Sequence, residues 1–105
     1  MGIGPVPATR KALARAGLSI DEIDVVEINE AFASQEVACL DELAIARERV
    51  NIDGGEIALG HPLGATGVRI TAKAAQIMNR NGGRYAFATQ CIGGGQGIAK
   101  IIEAV

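Results

Sequence analysis

Residues 84–92, RYAFATQCI, carry apolar or small side chains on both alternating faces. A strand of that composition is stable only when both faces are covered, so it calls for a sheet with helices packed against it. The strand ends at Cys91 and runs into three consecutive glycines, Gly93 to Gly95. Beyond that turn, residues 96–105 read as a last strand, antiparallel to its neighbour.

The remaining chain supplies the cover. After an extended entry holding Pro5 and Pro7, residues 8–16 read as a short helix that Gly17 stops. Ser19 and Glu22 have the spacing of a capping box for one further turn. Residues 24–29, DVVEIN, are short, β-branched and apolar, which predicts a strand that delivers Asn29 to its carboxyl end. From 30 to about 44, Ala33, Val37, Leu40 and Ala44 fall at helical spacing and predict a buried face, with Ser34, Glu36, Asp41 and Glu42 turned elsewhere. Residues 47–49 read as a solvated connection and 50–52 as a short strand, followed by a Gly54-Gly55 turn and a loop carrying His61. A second helix is predicted over 65–80, with Val68, Ala72 and Ala75 on one face and Gly82-Gly83 closing it. Helices alternating with strands point to a layered α/β domain.

Composition narrows the functional classes. A chain of 105 residues forms one small domain, and with 49% hydrophobic but 3% aromatic residues its core is built from small aliphatic side chains. The net charge of -2 and the lack of a basic cluster argue against nucleic acid as a partner. No apolar run reaches the roughly 20 residues that span a bilayer, and the N-terminus shows no charged segment before an apolar one, so a cytoplasmic location is expected. Cys39 and Cys91 do not form a disulfide framework, and a single histidine leaves no zinc set.

Three segments carry the chemistry: NEAF (29–32), GHPLGATG (60–67) and CIGGGQG (91–97). Each sets a polar or nucleophilic side chain beside a turn or helix start, where backbone N–H groups can hold an oxyanion. His61, the sole imidazole, is restricted by the following proline, and a neutral ring there can accept a thiol proton or point an N–H at a developing oxyanion. Taken alone, a lone loop histidine is also compatible with a purely structural or exposed role. Cys91 is either a buried core cysteine or an acid/base next to glycines that let the backbone approach a ligand. Cys39, inside a helix, reads as a small core filler. Asn29 at a strand end has the position of a helix N-cap, and Phe32 is compatible with ordinary core. A phosphate loop is a poor reading of CIGGGQG, which lacks the Lys-Ser/Thr ending and precedes a strand.

Together the three segments, in this order and spacing, resemble the C-terminal catalytic half of the thiolases, which make or cleave 3-ketoacyl-CoA. The likeness runs from GIGPVPATRKAL (2–13) to the last strand. It implies a thiolase-like layered α/β fold with a mixed sheet. It also implies that the nucleophilic cysteine lies in an N-terminal half outside these residues. By the same resemblance the central first strand lies upstream, so that DVVEIN and RYAFATQCI should flank an empty slot. His61 is then the residue that activates the nucleophile and helps form an oxyanion hole, and Cys91 the acid/base at the acetyl α-carbon. The Gly93 N–H would hold the enolate oxygen and Asn29 a water of the first oxyanion hole. Ala31 and Phe32 are placed at the pantetheine end of the pocket, and Met1 is a candidate lining residue of the acyl pocket.

The resemblance implies CoA and acyl-CoA as substrates, no metal or redox cofactor, and a homo-oligomer or a pairing with an N-terminal thiolase half or second protomer. A chain without the nucleophile is expected to be inactive alone. One departure from the family's NxNGG turn is Asp53, in Asn51-Ile52-Asp53-Gly54-Gly55, where an acceptor-only group replaces an amide. Two other classes of function stay open: a non-catalytic interaction module that needs a partner to fill the empty slot, and a stand-alone acyl-CoA binder.

Overall fold

A computed structural model describes residues 2–105. Their elements run α1 (Pro5–Ala16), β1 (Val25–Ile28), α2 (Ala33–Leu43), α3 (Glu56–Leu59), α4 (Thr66–Asn81), β2 (Tyr85–Ile92) and β3 (Gln96–Glu103). Short 3-10 turns at Ile20–Glu22, Arg47–Arg49 and Gly93–Gly95 link them. The three strands form one sheet in the order β1-β2-β3, with β1 parallel and β3 antiparallel to β2.

Strand alternation divides the core in two. Val26, Ile28 and Phe87 point to one face, where they pack with Val6 and Leu13 of α1 and with Cys39, Leu40 and Leu43 of α2. Val25 and Ala86 point to the other and meet Ala74, Ile77 and Met78 of α4. The result is a helix–sheet–helix sandwich with β2, buried on both faces over Ala86 to Thr89, at its centre. Phe87 is the largest fully buried side chain, and its burial contributes about 2–3 kcal/mol.

The capping box at Ser19 forms, with the Ser19 N–H and hydroxyl both donating to Glu22 at 2.7 and 3.1 Å. Gly17 and Gly82 end α1 and α4 in left-handed conformations. Helix α1 begins at Pro5 rather than after the prolines, because a proline at the first helical position has its φ already set and needs no hydrogen bond for its nitrogen. Its entry lies hard against the start of β3: a Cβ on Gly97 would run into the Gly4 carbonyl, and one on Gly4 into Gln96. Both positions therefore require glycine.

Four expectations are corrected. No slot separates the first two strands: β1 and β2 are directly bonded over Val25↔Ala86 to Ile28↔Thr89, so their backbone groups satisfy each other. The 50–52 strand reduces to a single bridge between Val50 and Val26. There Asn51 takes a left-handed φ of 49° and uses its side chain as a strand would use its backbone. Its Oδ1 accepts the Ile28 N–H at 2.9 Å, and its Nδ2 donates to the Ile28 carbonyl at 2.8 Å.

The helix faces also differ. On α4 the core takes Ile70, Ala74, Ile77 and Met78, leaving Val68 73% exposed. On α2 it takes Gln35, Glu36, Cys39, Leu40 and Leu43, leaving Val37 outside. Glu36 tolerates burial because Arg47 donates to its carboxylate at 3.0 Å. Residues 47–49 form the solvated connection expected, with Arg47 and Glu48 exposed, and Arg49 donates to the Ile23 carbonyl at 2.6 Å. Asp53, the acidic departure in the turn, is held by both Arg80 Nη atoms at 3.0 Å, which keeps its carboxyl below the usual range.

Glu27 is the costliest group in the sheet. It is fully buried beneath α4, and neither carboxylate oxygen has a hydrogen-bond partner among the described residues. Burial pushes its pKa up from 4.5 to about 7, against the pull of Arg69 and Lys73 and with the repulsion of Glu56 and Asp53. Between those values the unfolded chain has released the proton that the folded chain still holds, so stability falls as pH rises from 4.5 to 7. A Glu27→Gln variant is expected to be more stable than the parent by up to about 3 kcal/mol at pH 8, the gain vanishing near pH 4.5. Urea unfolding of both proteins across that range checks it, and a pH-independent difference would contradict it.

Candidate active site

Because β1 and β2 run parallel, their carboxyl ends lie at the same edge of the sheet. That is where ligands bind in α/β sheets. Asn29 follows β1 and donates its backbone N–H to the Thr89 carbonyl at 2.9 Å, so the segment after β1 is registered against the end of β2. Ala31, Phe32, His61, Leu63, Cys91, Ile92 and Gly93 line one cleft there, of about 480 Å³. The three sequence segments thus converge: NEAF from the β1–α2 connection, His61 and Leu63 from the α3–α4 loop, Cys91 to Gly93 from the end of β2.

The cleft walls are mostly apolar. Phe32 is 57% exposed and Leu63 85%, so Phe32 is not a core residue. The single polar ring and the half-buried thiol of Cys91 are set among these side chains. Gly93 opens a turn in which Gly94 and Gly95 take left-handed φ values of 70° and 72°. A Cβ on Gly93, Gly94 or Gly95 would meet nothing within 4 Å, so the turn presents bare backbone.

Asn29 does not line the cleft. It is completely buried, and neither amide atom has a hydrogen-bond partner among the described residues. Nor does it cap α2, whose N-cap is Phe32 in an extended conformation without a side-chain bond. An amide left unpartnered in a buried position costs on the order of 1–3 kcal/mol. Cys39 lies in the core with its Sγ receiving a Gln35 amide N–H at 3.2 Å, and burial pushes its thiol pKa up. It is a core filler. Met1 lies outside the described residues.

What holds the His61 loop was not visible in the sequence. Glu30, buried, accepts the Ile57 N–H at 2.9 Å and an Asn51 amide hydrogen at 3.1 Å. In return the Glu30 N–H donates to Glu56 Oε2 at 2.9 Å, while Glu56 Oε1 pairs with Arg69 of α4. Gly55 leaves room for this, since a Cβ there would run into the Glu30 carboxylate. NEAF and α3 are therefore clamped together, and α3 leads through Gly60 (φ 92°) into His61. The imidazole is held in turn: His61 Nδ1 lies 2.6 Å from the Thr66 hydroxyl, which itself donates to the Pro62 carbonyl at 3.2 Å. Thr66 sits within GHPLGATG, and its place at the helix start five residues after the histidine was the available signal.

The sequence matches the family model described as "Thiolase, C-terminal domain" over residues 1–104. It is 57% identical to a beta-ketothiolase, BktB, of Cupriavidus necator across all of this chain and 27% of that protein. Among solved structures, human mitochondrial 3-ketoacyl-CoA thiolase superposes with a TM-score of 0.96 at 54% identity, covering 99% of this chain and 26% of that one. The acetyl-CoA acetyltransferase of Bacillus anthracis gives the same TM-score at 47% identity, with the same coverage. The chain spans about a quarter of the length of the relatives it matches. With the fold, the motif order and these likenesses in agreement, the chain belongs to the thiolase family, to whose C-terminal domain it corresponds.

Proposed function

We propose that this chain supplies the acid/base half of a thiolase site, which cleaves or forms 3-ketoacyl-CoA by transfer of an acetyl unit to or from CoA. The observation that carries the reading is the cleft itself: the sole histidine, a half-buried cysteine and a glycine turn brought together by three separate elements at the carboxyl edge of the sheet.

In the cleavage direction a cysteine thiol from another part of the enzyme gives its proton to His61, and the thiolate attacks the ketone of a 3-ketoacyl-CoA. The carbon–carbon bond breaks towards the acetyl-CoA enolate, which Cys91 protonates at carbon while the Gly93 N–H holds its oxygen. A second CoA thiol then takes the acyl group from the enzyme. Asn29 suits the water-holding role, since its amide is buried and has no hydrogen-bond partner among the described residues. Ala31 and Phe32 form the apolar wall that the pantetheine arm would follow. CoA enters as substrate and carrier, and the steps are nucleophilic and acid–base.

The nucleophile has to come from an N-terminal thiolase half or a second protomer, so the isolated chain should be inactive. The need for a partner rests on that missing thiol. It no longer rests on an open strand position, because β1 and β2 already bond to each other, and the non-catalytic reading loses the argument that favoured it.

Two outcomes are expected when loss of acetoacetyl-CoA enolate absorbance is followed after adding CoA. The purified chain alone should give no enzymatic rate. Mixed with an N-terminal thiolase half carrying the nucleophilic cysteine, it should give activity that falls by on the order of 10²-fold or more with His61→Ala or with Cys91→Ala. A demonstrated complex without activity, or activity indifferent to both substitutions, would sink the assignment.

A further inference from the structure

The ring of His61 has two nitrogens, and the reading above uses only one of them. A base that takes a thiol proton must present a lone pair, so in the neutral ring the proton has to be on the other nitrogen. The structure supplies a partner for that proton. Nδ1 lies 2.6 Å from Thr66 Oγ1, and Thr66 Oγ1 lies 3.2 Å from the Pro62 carbonyl oxygen.

The direction of this chain of contacts follows from what each atom can do. The Pro62 oxygen is an acceptor only, the hydroxyl has a single hydrogen, and Nδ1 can be either donor or acceptor. With the hydroxyl hydrogen on the Pro62 oxygen, Thr66 Oγ1 is free to accept from Nδ1–H, and two hydrogen bonds form. With the hydroxyl hydrogen turned to Nδ1, one bond forms, and two oxygens face each other at 3.2 Å with no hydrogen between them. The first arrangement is favoured by about one hydrogen bond, and more because Thr66 is completely buried and water cannot make up the loss.

The hydroxyl is itself well anchored. Thr66 is the first residue of α4, with its backbone N–H donating to the same Pro62 oxygen at 3.1 Å, beside the Ala65 N–H at 2.9 Å. The Pro62 carbonyl thus gathers the backbone of the turn, which fixes the Cβ that carries the hydroxyl.

We propose that Thr66 is the positioning residue of His61: its hydroxyl accepts the Nδ1 proton, fixes the neutral ring as the Nδ1–H tautomer and turns Nε2, with its lone pair, to the cleft. This rests on the functional reading for its purpose but not for its test. When Nε2 takes a proton from a thiol, the thiol becomes thiolate and the ring becomes imidazolium. The Nδ1–H bond to Thr66 and the Thr66 bond to Pro62 are unchanged. The ring therefore has no need to rotate between its base and acid states.

Having one histidine makes the tautomer directly observable. In the full chain labelled with ¹⁵N-histidine, long-range ¹H–¹⁵N correlation spectra at a pH where the ring is neutral should show Nδ1 protonated and Nε2 bare. Thr66→Val keeps the branched shape and leaves the Pro62 oxygen bonded to two backbone N–H groups, so it should return the ring to the Nε2–H form that an unconstrained imidazole prefers. Thr66→Ser should keep the wild-type pattern. In the reconstituted enzyme Thr66→Val should lower kcat by on the order of 10²-fold with KM little changed, and Thr66→Ser should restore it.

A bare Nδ1 in the wild-type chain would overturn the proposal, as would a Thr66→Val protein with the wild-type tautomer. If the valine variant does not fold, the wild-type spectrum and the serine variant decide the matter. The spectra need no catalysis, so failure of the reconstituted enzyme to turn over would count against the functional reading and leave the tautomer result standing.

Discussion

The parallel pairing of β1 with β2 is the constraint on which the rest of the molecule depends. It sets two chain reversals side by side at one edge of the sheet, one carrying NEAF and the other Cys91 to Gly93, and α3, which leads into the His61 loop, is clamped to the first of them through Glu30 and Glu56. Four residue pairs hold the register, and the Asn29 N–H to the Thr89 carbonyl extends it by one more contact just where the strands end. A slip of one residue would turn Val26 and Ile28 away from the face that Phe87 shares with α1 and α2, and expose part of an aliphatic core that has no large aromatic reserve to replace it. Register and site geometry are therefore fixed by the same interactions.

Beyond the strand end, polar groups do the work that strands do elsewhere. Asn51 completes the outer edge of β1 with its amide, and passes a hydrogen bond on to Glu30. Glu30 and Glu56 then exchange contacts across the gap to α3, with Arg69 closing the set from α4. In such a network the low dielectric that strengthens each bond also makes an unpaired donor expensive, and Arg69 carries that cost, its Nε and Nη1 having no hydrogen-bond partner among the described residues. The loop carrying His61, though exposed, is suspended between the clamped α3 and the first turn of α4, where Thr66 contacts the ring.

How much of this could be read from the sequence follows from how far apart the interacting residues are. Local signals were legible: Gly17 and Gly82 as helix stops, the Ser19–Glu22 box, a strand over RYAFATQCI buried on both faces, and an antiparallel return after the glycines. The helix faces were not. In α4 the chain offers aliphatic residues at two helical spacings, one containing Val68 and the other Ile70, and residues two apart lie about 200° around a helix. Alanines occur on both faces and do not break the tie. In α2, Glu36 looks solvent-facing until Arg47 folds back on it, and Asn51 looks like part of a strand until its side chain is seen to replace one. The empty slot between the strands was carried in from the family resemblance, and hydrogen bonding in the sheet rules it out. The residues that meet at the cleft were legible because their motifs are contiguous. The clamp that positions them was not, because Glu30, Asn51, Glu56 and Arg69 come from four places in the chain.

The two cysteines show how environment, rather than residue type, decides what a thiol can reach. Both belong to the face of the sheet covered by α2. Cys39 is sealed in the core, where burial is the largest influence on its thiol and raises the cost of a thiolate. Its one polar contact, the Gln35 amide, offsets only part of that. Cys91 stands at the mouth of the same sheet, half-buried, with a glycine turn on one side and the imidazole-bearing loop on the other. A proton exchanged at Cys39 would have no route to a substrate and no compensating dipole. At Cys91 the cleft supplies the route, and the bare backbone of the turn lies beside it. With Cys91 at a strand terminus and Cys39 in the helix behind it, one packed layer gives rigidity while its edge opens into the cleft.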